Sequence, residues 1–571
     1  MIMVKDKGKH NISYYVEDVV GMKINFFSKD GAGYITDWEI CGKTFNIKGN
    51  GYDNDMERMT YVFDFLIKKY DLKYHIVKNK NTKEKAESKN TKDIIIIYIN
   101  DLNVIRGFLK DYITEDFQYY IQVKNFIEFR PITVWDEDLN TAEEYREYGQ
   151  FLVDNIFIPD SYFYLTPNQV PRKHMSRACK DSDCNVAKEI FPNTYNEYSE
   201  IKDALFGGFY FMPYKTKKPM KEPIIGYDLT SAYIYCLLIE KHCSTQLEEV
   251  EPENYEYYLN NPYVCSIGTY IIKYSTFSNK IQCYKDILGN TLQKGEHEVT
   301  ICLTNIDLQL ITQLVTVHNV ECIELKASDL DYLPKPIQDV IVDEFVKKVE
   351  YKQTDDRRLK VQKATVNGIY GDTIRRLETE DAYIRAKKKA TLAPQWGIFT
   401  TAYCKKLLLS VGLQVEGWIL SATDSVYCLD TPKNREIVEK VNAEIRQNVK
   451  DFCDKFGYDF EKLKTLGQFK LEAEIVKFKA YNYGKYVYTT KDGKLEIKAS
   501  GCNKDQLPHD DSIYELTDLP TGTRKLPRFN EEYTECEVDG KKYSSNGSYW
   551  EYETKSSAET DLYNILIISL D

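Results

Sequence analysis

Ile94–Ile99 is among the longest apolar runs in the chain, and it reads as a buried strand. Upstream, Met56–Tyr70 spaces its apolar residues as a helix does. Between the two lies Lys78–Lys92, polar, lysine-rich and unpatterned, which reads as an exposed loop. Together these segments predict an α/β N-terminal domain. A basic connector, Pro171–Lys180, follows, then a turn at Phe206, Gly207 and Gly208 and a short apolar strand, Pro223–Asp228. Helical spacing returns over Pro336–Asp372 and Gly397–Val411. Gly417–Asp430 alternates as a hairpin does, and Lys470–Ser500 is strand-rich with a tight turn at Asp492–Gly493. With no internal repeat, the pattern describes an N-terminal α/β domain followed by a larger, interrupted second unit.

Composition narrows the class. The chain has 571 residues, 43% hydrophobic and 29% charged, which is ordinary for a globular protein of several domains. No apolar run approaches the roughly 20 residues of a membrane helix, and Met1–His10 lacks the apolar stretch of a signal peptide. The expectation is a soluble cytoplasmic protein with no membrane partner. The 14 cysteines are scattered as reduced thiols are. Cys179 and Cys184 have no second Cys/His pair close by, so they read as structural rather than as a zinc site. The net charge of −12 argues against nonspecific coating of nucleic acid, but phosphate contacts depend on local charge and a basic cleft stays open.

Three short patterns carry candidate chemistry. In the first, Asp228 ends an apolar strand and is followed by Ser231 and Tyr233, a carboxylate able to face a cation with an aromatic nearby as a pocket wall. In the second, Lys363, Asn367 and Tyr370 fall at i, i+4 and i+7, one face of a helix, with Lys360 extending it. Lys347–Lys363 holds seven basic residues against three acidic ones, so this region is basic within an acidic chain. A lysine, an amide and a tyrosine on one stripe can hold a triphosphate at one end and a base pair at the other. The third is Ser421, Ala422, Thr423, Asp424 and Ser425 between apolar flanks, a hairpin with Asp424 at its tip. A carboxylate there can meet Asp228 from a neighbouring strand, and two such groups can hold two Mg²⁺ ions.

The order of these motifs resembles the protein-primed branch of the family B DNA polymerases, over about Phe191 to Ser500. The family's D-x-x-S-L-Y-P is matched by Asp228, Ser231 and Tyr233, with Ala232 and Ile234 departing from it. Its K-x-x-x-N-S-x-Y-G is matched by Lys363, Asn367, Tyr370 and Gly371, with Gly368 for serine. Its K-x-Y is matched by Lys479 and Tyr481, and Leu205, Gly207 and Gly208 resemble its Y-x-G-G linker. The resemblance implies an α/β multi-domain chain, a right-hand polymerase of palm, fingers and thumb behind an N-terminal RNase H-like, exonuclease-type domain. The implied domains are 1–168 exonuclease-like; 169–239 linker and first palm part; 240–338 protein-priming insertion; 339–375 fingers; 376–393 a shortened second insertion; 394–515 second palm part; and 516–571 thumb. It also implies a DNA-directed DNA polymerase that binds template, primer and dNTPs, acts as a monomer, takes a terminal protein as a possible primer, and replicates viral or plasmid DNA. Asp228, Asp424 and the Leu229 carbonyl would bind two Mg²⁺ ions, with Mn²⁺ as a substitute. Leu229, Ser231, Tyr233, Lys363, Asn367, Tyr370 and Gly371 would surround the nucleotide, Tyr233 excluding a 2′-hydroxyl. Lys360, Thr423, Ser425, Lys479 and Tyr481 would contact DNA or the primer.

Three departures qualify that picture. The family's Y-x-D-T-D-S has its first aspartate replaced by Ala422, and restoring an aspartate there is expected to deepen the negative field and raise the rate. At the N-terminus no complete exonuclease carboxylate set appears: Tyr15 and Glu17 stand where D-x-E is expected, Val104 or Ile105 and Gly149 or Leu152 stand for the other aspartates, and Asp18, Asp101 and Asp154 are wrongly spaced. A scaffold without proofreading is expected. Only 22 residues separate Gly371 from Pro394, too short for a long hairpin that would trap DNA, so weak strand displacement is expected. The alternative reading is a nucleic-acid-binding protein that kept the polymerase fold and lost catalysis.

Overall fold

In the computed structural model the chain divides into two compact units, Met1–Leu165 with Thr521–Thr554, and Thr166–Pro520 with Lys555–Asp571. The structure describes residues 2–5, 13–29, 32–40, 43–46, 74–78, 91–99, 119–123, 126–131, 141–147, 150, 170–205, 209–211, 218–276, 296–354, 358–375, 377–482, 484–500, 502, 504–520, 522–527, 535–538, 541–546 and 549–553. The Met56–Tyr70 helix, the Phe206–Gly208 turn, most of Lys78–Lys92, and Val104, Ile105, Gly149, Leu152, Asp101 and Asp154 lie outside them.

The first unit contains a six-stranded mixed sheet in the order Lys43–Asn46, Ala32–Ile40, Ser13–Lys29, Thr91–Ile99, Phe126–Pro131, with Ile2–Lys5 paired to Ser13–Lys29. The first three strands are antiparallel; the last two run parallel to Ser13–Lys29. The apolar run Ile94–Ile99 is therefore an interior parallel strand, the setting in which strands read as continuous hydrophobic runs. Glu17 is the extra residue of a bulge, because Val16 pairs with Ile94 and Asp18 with Ile95. This unit also holds a four-stranded antiparallel sheet, Thr523–Pro527, Tyr549–Glu553, Lys541–Asn546 and Glu535–Val538, an antiparallel pair, Tyr74–Lys78 with Tyr119–Val123, and a helical turn over residues 142–147.

The second unit is built on a seven-stranded antiparallel sheet: β1 (Phe209–Phe211), β2 (Ile224–Leu229), β3 (Trp418–Thr423), β4 (Ser425–Leu429), β5 (Phe469–Asn482), β6 (Lys485–Thr490) and β7 (Leu495–Ala499), in the order β7-β6-β5-β2-β4-β3-β1. Strand alternation gives it two apolar faces. Ile225, Tyr227 and Leu229 join a large core with the helices; Ile224, Ala422, Tyr427, Ala473, Ile475, Phe478 and Ala480 form a second cluster on the other face. The β6–β7 turn falls at Asp492–Gly493, where Gly493 takes φ +86° and its N–H bonds the Thr490 carbonyl at 2.9 Å.

The helices of this unit include α1 (Val170–Asp181), α2 (Ala232–Ile239), α3 (Lys335–Gln353), α4 (Leu359–Thr373), α5 (Pro394–Gly412) and α6 (Pro432–Phe456). The expected basic connector Pro171–Lys180 is thus a helix. Its buried Pro171, Met175 and Cys179 recur at four-residue spacing and pack inward, while Arg172, Lys173, Arg177 and Lys180 fall off that stripe. The single helical pattern Pro336–Asp372 resolves into two helices, α3 and α4. No helix among the described residues is long and apolar enough to cross a membrane.

The described residues between 240 and 338 add a further sheet that shares the large core. Val264–Thr276 pairs antiparallel with both Glu296–Thr304 and Val315–Asp331, and the helix Asn305–Leu314 packs between this sheet and α5. The contact contains a dry ion pair, Lys405 Nζ to Asp307 Oδ1 at 2.5 Å, each side chain 1% exposed. Thr304 caps this helix, its Oγ1 accepting from the Asp307 N–H at 3.0 Å and donating to Asp307 Oδ2 at 2.8 Å. Removing one member of such a pair leaves an uncompensated buried charge, so Lys405→Met is expected to cost about 3–5 kcal/mol of stability. Adding Asp307→Asn should recover most of it, as measured by denaturant unfolding of the single and double variants.

Candidate active site

The register of the central sheet brings the two sequence-predicted carboxylates together. β2 lies between β4 and β5, and Asp228 stands opposite Ser425 on one side and Lys470 on the other. At the β3–β4 tip the Leu229 N–H donates to the Asp424 carbonyl at 2.8 Å, tying the two acidic positions by their backbones. The tip is a γ-turn: Asp424 N–H bonds the Ala422 carbonyl at 2.7 Å across Thr423, whose φ is +60°. Ser231, which begins α2, takes φ +53°. Among the described residues three non-glycine positions have positive φ, and two of them are here, so backbone strain is concentrated where the carboxylates are aimed.

Burial and mutual repulsion dominate the electrostatics. The Asp228 carboxyl is pushed up to about 7 by burial, then by Asp424 and Glu472, with Lys498 and Lys348 opposing. Asp424 is pushed up to about 6 by burial, with Glu472 adding to the rise while its own backbone N–H, Lys348 and Lys498 oppose it. Lys348 is pulled down to about 8 by burial and by Lys363 and Lys352; its ammonium donates to Ser231 Oγ at 2.5 Å. Lys352 is lowered by burial and by Lys470 and Lys363. Sequence reading passed over Lys348, Lys352, Lys470, Lys498 and Glu472 as site residues. The basic excess over Lys347–Lys363 was the only signal for two of them.

Hard oxygen donors that repel one another in a half-buried site suit a divalent cation. Among the described residues no cluster of three or more His, Cys, Asp or Glu side chains is placed to hold a metal, and Asp228 and Asp424 are the two carboxylates that could face one here. That is the set expected for Mg²⁺, which is held by one or two carboxylates together with substrate phosphates rather than by a protein cage.

Two of the sequence-predicted aromatics also meet. Tyr233 on α2 and Tyr370 on α4 stack with ring centroids 4.0 Å apart and planes 4° from parallel. Tyr370 Oη and Thr401 Oγ1 on α5 are hydrogen-bonded at 2.7 Å. Burial raises both phenols well above their ordinary range. Lys363 and Asn367 are exposed on the same helical stripe as Tyr370. Gly371 has no neighbour within 4 Å of where a Cβ would sit, so nothing inside the protein requires a glycine there. Lys360 lies in α4, its side chain outside the described residues.

Other sequence-predicted contacts are placed differently. Ser425 is buried and its hydroxyl donates to the Ala422 carbonyl at 3.0 Å, while Thr423 is the strained centre of the turn. Lys479 and Tyr481, expected at the primer, are 4% and 0% exposed and bond backbone carbonyls of residues 513–516. They do not join the carboxylates, because a bulge at Val476 turns them to the other face of the sheet: Ile475 pairs with Thr490 and Lys477 with Thr489.

Ala422 is 8% exposed and lies in one cross-strand row with Tyr210, Ser425 and Asp228. A carboxylate there would be a third buried negative group beside two that already repel. This sets a cost against the field gain expected from an aspartate. The folded protein without metal holds an extra proton on Asp228 between the ordinary value of 3.8 and about 7, so its stability falls as pH rises through that window. Asp228→Asn should therefore melt higher than the unmodified protein at pH 8 without metal, and Ala422→Asp lower, with the differences shrinking towards pH 4. Added Mg²⁺ should raise the melting temperature of the unmodified protein but not of Asp228→Asn. Thermal melts at both pH values, with and without Mg²⁺, check this.

No protein-family model matches the sequence, and no curated protein matches it. Solved structures do. Phi29 DNA polymerase complexed with primer-template DNA is similar at 12% identity and a TM-score of 0.60, over 94% of this chain and 99% of that one. The same polymerase complexed with primer-template DNA and incoming nucleotides is similar at 13% identity and a TM-score of 0.55, over 94% and 100%. Identity at this level speaks for the fold alone: the chain has a multi-domain α/β fold like that of phi29 DNA polymerase along nearly its whole length.

Proposed function

We propose that this protein is a template-directed DNA polymerase that adds dNTPs to a primer 3′-hydroxyl. The observation that carries the reading is the pair of Asp228 on β2 and Asp424 at the tip of the adjoining β3–β4 hairpin, within a phi29 DNA polymerase-like fold. In this reading the seven-stranded sheet is the palm, α3 and α4 the fingers, residues 240–338 the priming-type insertion and 516–571 the thumb. The first unit's antiparallel triplet of strands, followed by two strands parallel to its first, supports an RNase H-like, exonuclease-type domain.

Asp228, Asp424 and the Leu229 carbonyl would hold Mg²⁺, or Mn²⁺ in its place, which when bound lowers the pKa of the attacking hydroxyl and neutralises charge on the leaving pyrophosphate. The chain's own groups do the rest. Lys348 and Lys363 present cations to the triphosphate, Lys348 from beside Ser231 at the start of α2. The Tyr233–Tyr370 stack forms a flat wall against the nascent base pair and the sugar, kept rigid by the bond from Tyr370 to Thr401. Asn367 borders the same base pair from the exposed stripe of α4. The partners are template, primer, dNTPs and, by the insertion, a priming protein. Among the described residues between Gly371 and Pro394 there is, past the end of α4, one short helix, Glu380–Lys388, whose Tyr383 and Lys387 bond the Pro192 carbonyl, which favours limited strand displacement. A nucleic-acid-binding protein without catalysis is the second reading, and Ala422 and the incomplete exonuclease carboxylate set favour it.

Primer extension with Mg²⁺ and labelled dNTPs separates the two. Asp228→Asn and Asp424→Asn should each abolish incorporation while leaving primer-template affinity within a few-fold, because DNA is held by basic and aromatic groups elsewhere. Near-normal extension by either variant would remove the carboxylate assignment. Incubating the pure protein with single-stranded DNA and Mg²⁺ should yield no 3′–5′ trimming, and metal-dependent shortening would show an exonuclease set at other residues of the first unit.

A further inference from the structure

Lys479, Tyr481 and Lys485 are buried, polar and gathered on one side of β5 and β6. A buried ammonium needs partners for its donors, and main-chain carbonyls are among the partners here. Lys479 Nζ donates to the carbonyls of Tyr514 and Leu516, both at 2.7 Å. Tyr481 Oη donates to the Ile513 carbonyl at 2.6 Å, and Lys485 Nζ to the Leu519 carbonyl at 2.9 Å. All four acceptors lie between residues 513 and 519, in the stretch that leads to the strand Thr523–Pro527. Around them Tyr481, Val487, Ile497, Ala499, Leu507, Ile513, Tyr514 and Leu519 form a compact apolar cluster. Lys477 stands over the Tyr514 ring at 4.0 Å and bonds Asp511 at 2.9 Å, closing the edge.

We propose that Lys479, Tyr481 and Lys485 are a buried donor clamp that fixes residues 513–519 on the back of the central sheet, and that they act as positioning residues rather than as contacts to primer phosphates. The proposal rests on the polymerase reading for its effect on primer binding, but the clamp itself does not depend on it. The geometry is one-sided. Phe478 and Ala480 belong to the cluster that contains Ile224, and Asp228 shares that face by alternation with Ile224 and Gly226; Lys479 and Tyr481 point the other way. For Lys479 to reach a phosphate it would have to leave two carbonyls buried without their donor, which costs free energy that a solvated lysine would not.

The test uses the full chain and the variants Lys479→Met, Tyr481→Phe and Lys479→Arg. In the free protein, amides of 513–519 should exchange with deuterium at least about tenfold faster in the first two variants, because local opening no longer breaks those bonds. The slope of log affinity for primer-template DNA against log salt should stay that of the unmodified protein, whereas a lost phosphate contact would reduce it by about 0.9. KM for primer-template should rise with KM for dNTP unchanged, and Lys479→Arg should restore both exchange and KM. Unchanged exchange in both Lys479→Met and Tyr481→Phe overturns the clamp. So does a slope loss of about one in Lys479→Met. If the unmodified protein binds no DNA, the polymerase reading fails and the exchange measurement still decides the clamp. Should Lys479→Met not fold, Tyr481→Phe, which loses a single hydroxyl, decides it alone.

Discussion

Two carboxylates are held against their mutual repulsion by the hydrogen-bond register of β2 and β4, and much of the second unit is organised around that constraint. A flexible loop bearing Asp424 would swing away from Asp228. The bond from Leu229 N–H to the Asp424 carbonyl and the tight turn at Thr423 prevent it. β2 is in turn locked by neighbours on both edges and by Tyr427, whose ring lies 2.7 Å from where a Cβ on Gly226 would sit, so only glycine fits there. The stability needed to hold a raised pair comes from the apolar core that Ile225, Tyr227 and Leu229 share with the helices. Folding and chemistry therefore pull on the same strand in opposite directions.

Local patterns in the sequence were enough to find the pair. Asp228 ends a short apolar run, and the apolar flanks and polar centre around Asp424 specify a hairpin with few alternatives. The helical stripe of Lys363, Asn367 and Tyr370 was legible for the same reason, since 3.6-residue periodicity needs no knowledge of the rest of the fold. What surrounds the pair was not legible. Lys348 reaches the site because α3 packs across α2, and Glu472 because a bulge opposite Gly226 and Tyr227 adds one residue to β5. Neither position has a local signature; both are products of tertiary register. The basic connector was read as such because charge outnumbered apolar residues, although the apolar few are spaced as a helix requires.

The placement of the K-x-Y residues shows how far one inserted residue can turn a motif. From Ala473 and Ile475, strict alternation continues through Lys477, Lys479 and Tyr481, which would put all three on the face that bears Asp228. The bulge at Val476 inverts the phase, so that Phe478 and Ala480 take that face instead. A motif match records residue types and spacing, and spacing survives a bulge unchanged while direction does not. The same two residues can thus satisfy a family pattern and occupy the opposite side of the sheet.

The inversion also gives the sheet a division of labour. One face carries the acidic pair, on which Glu472, Lys348 and Lys498 act electrostatically. On the other face β5 and β6 bury two lysines on neutral carbonyls, with Lys479 over the Tyr481 ring at 4.9 Å. Carbonyl dipoles satisfy an ammonium by geometry, so that arrangement lasts only while residues 513–519 keep their backbone conformation. An apolar cluster alone would tolerate the segment sliding by a residue; donors matched one by one to particular carbonyls do not. Buried charge on that face is better suited to fixing register than to adding stability, and fixed register is what the chain needs just before it leaves the sheet towards its C-terminal strands.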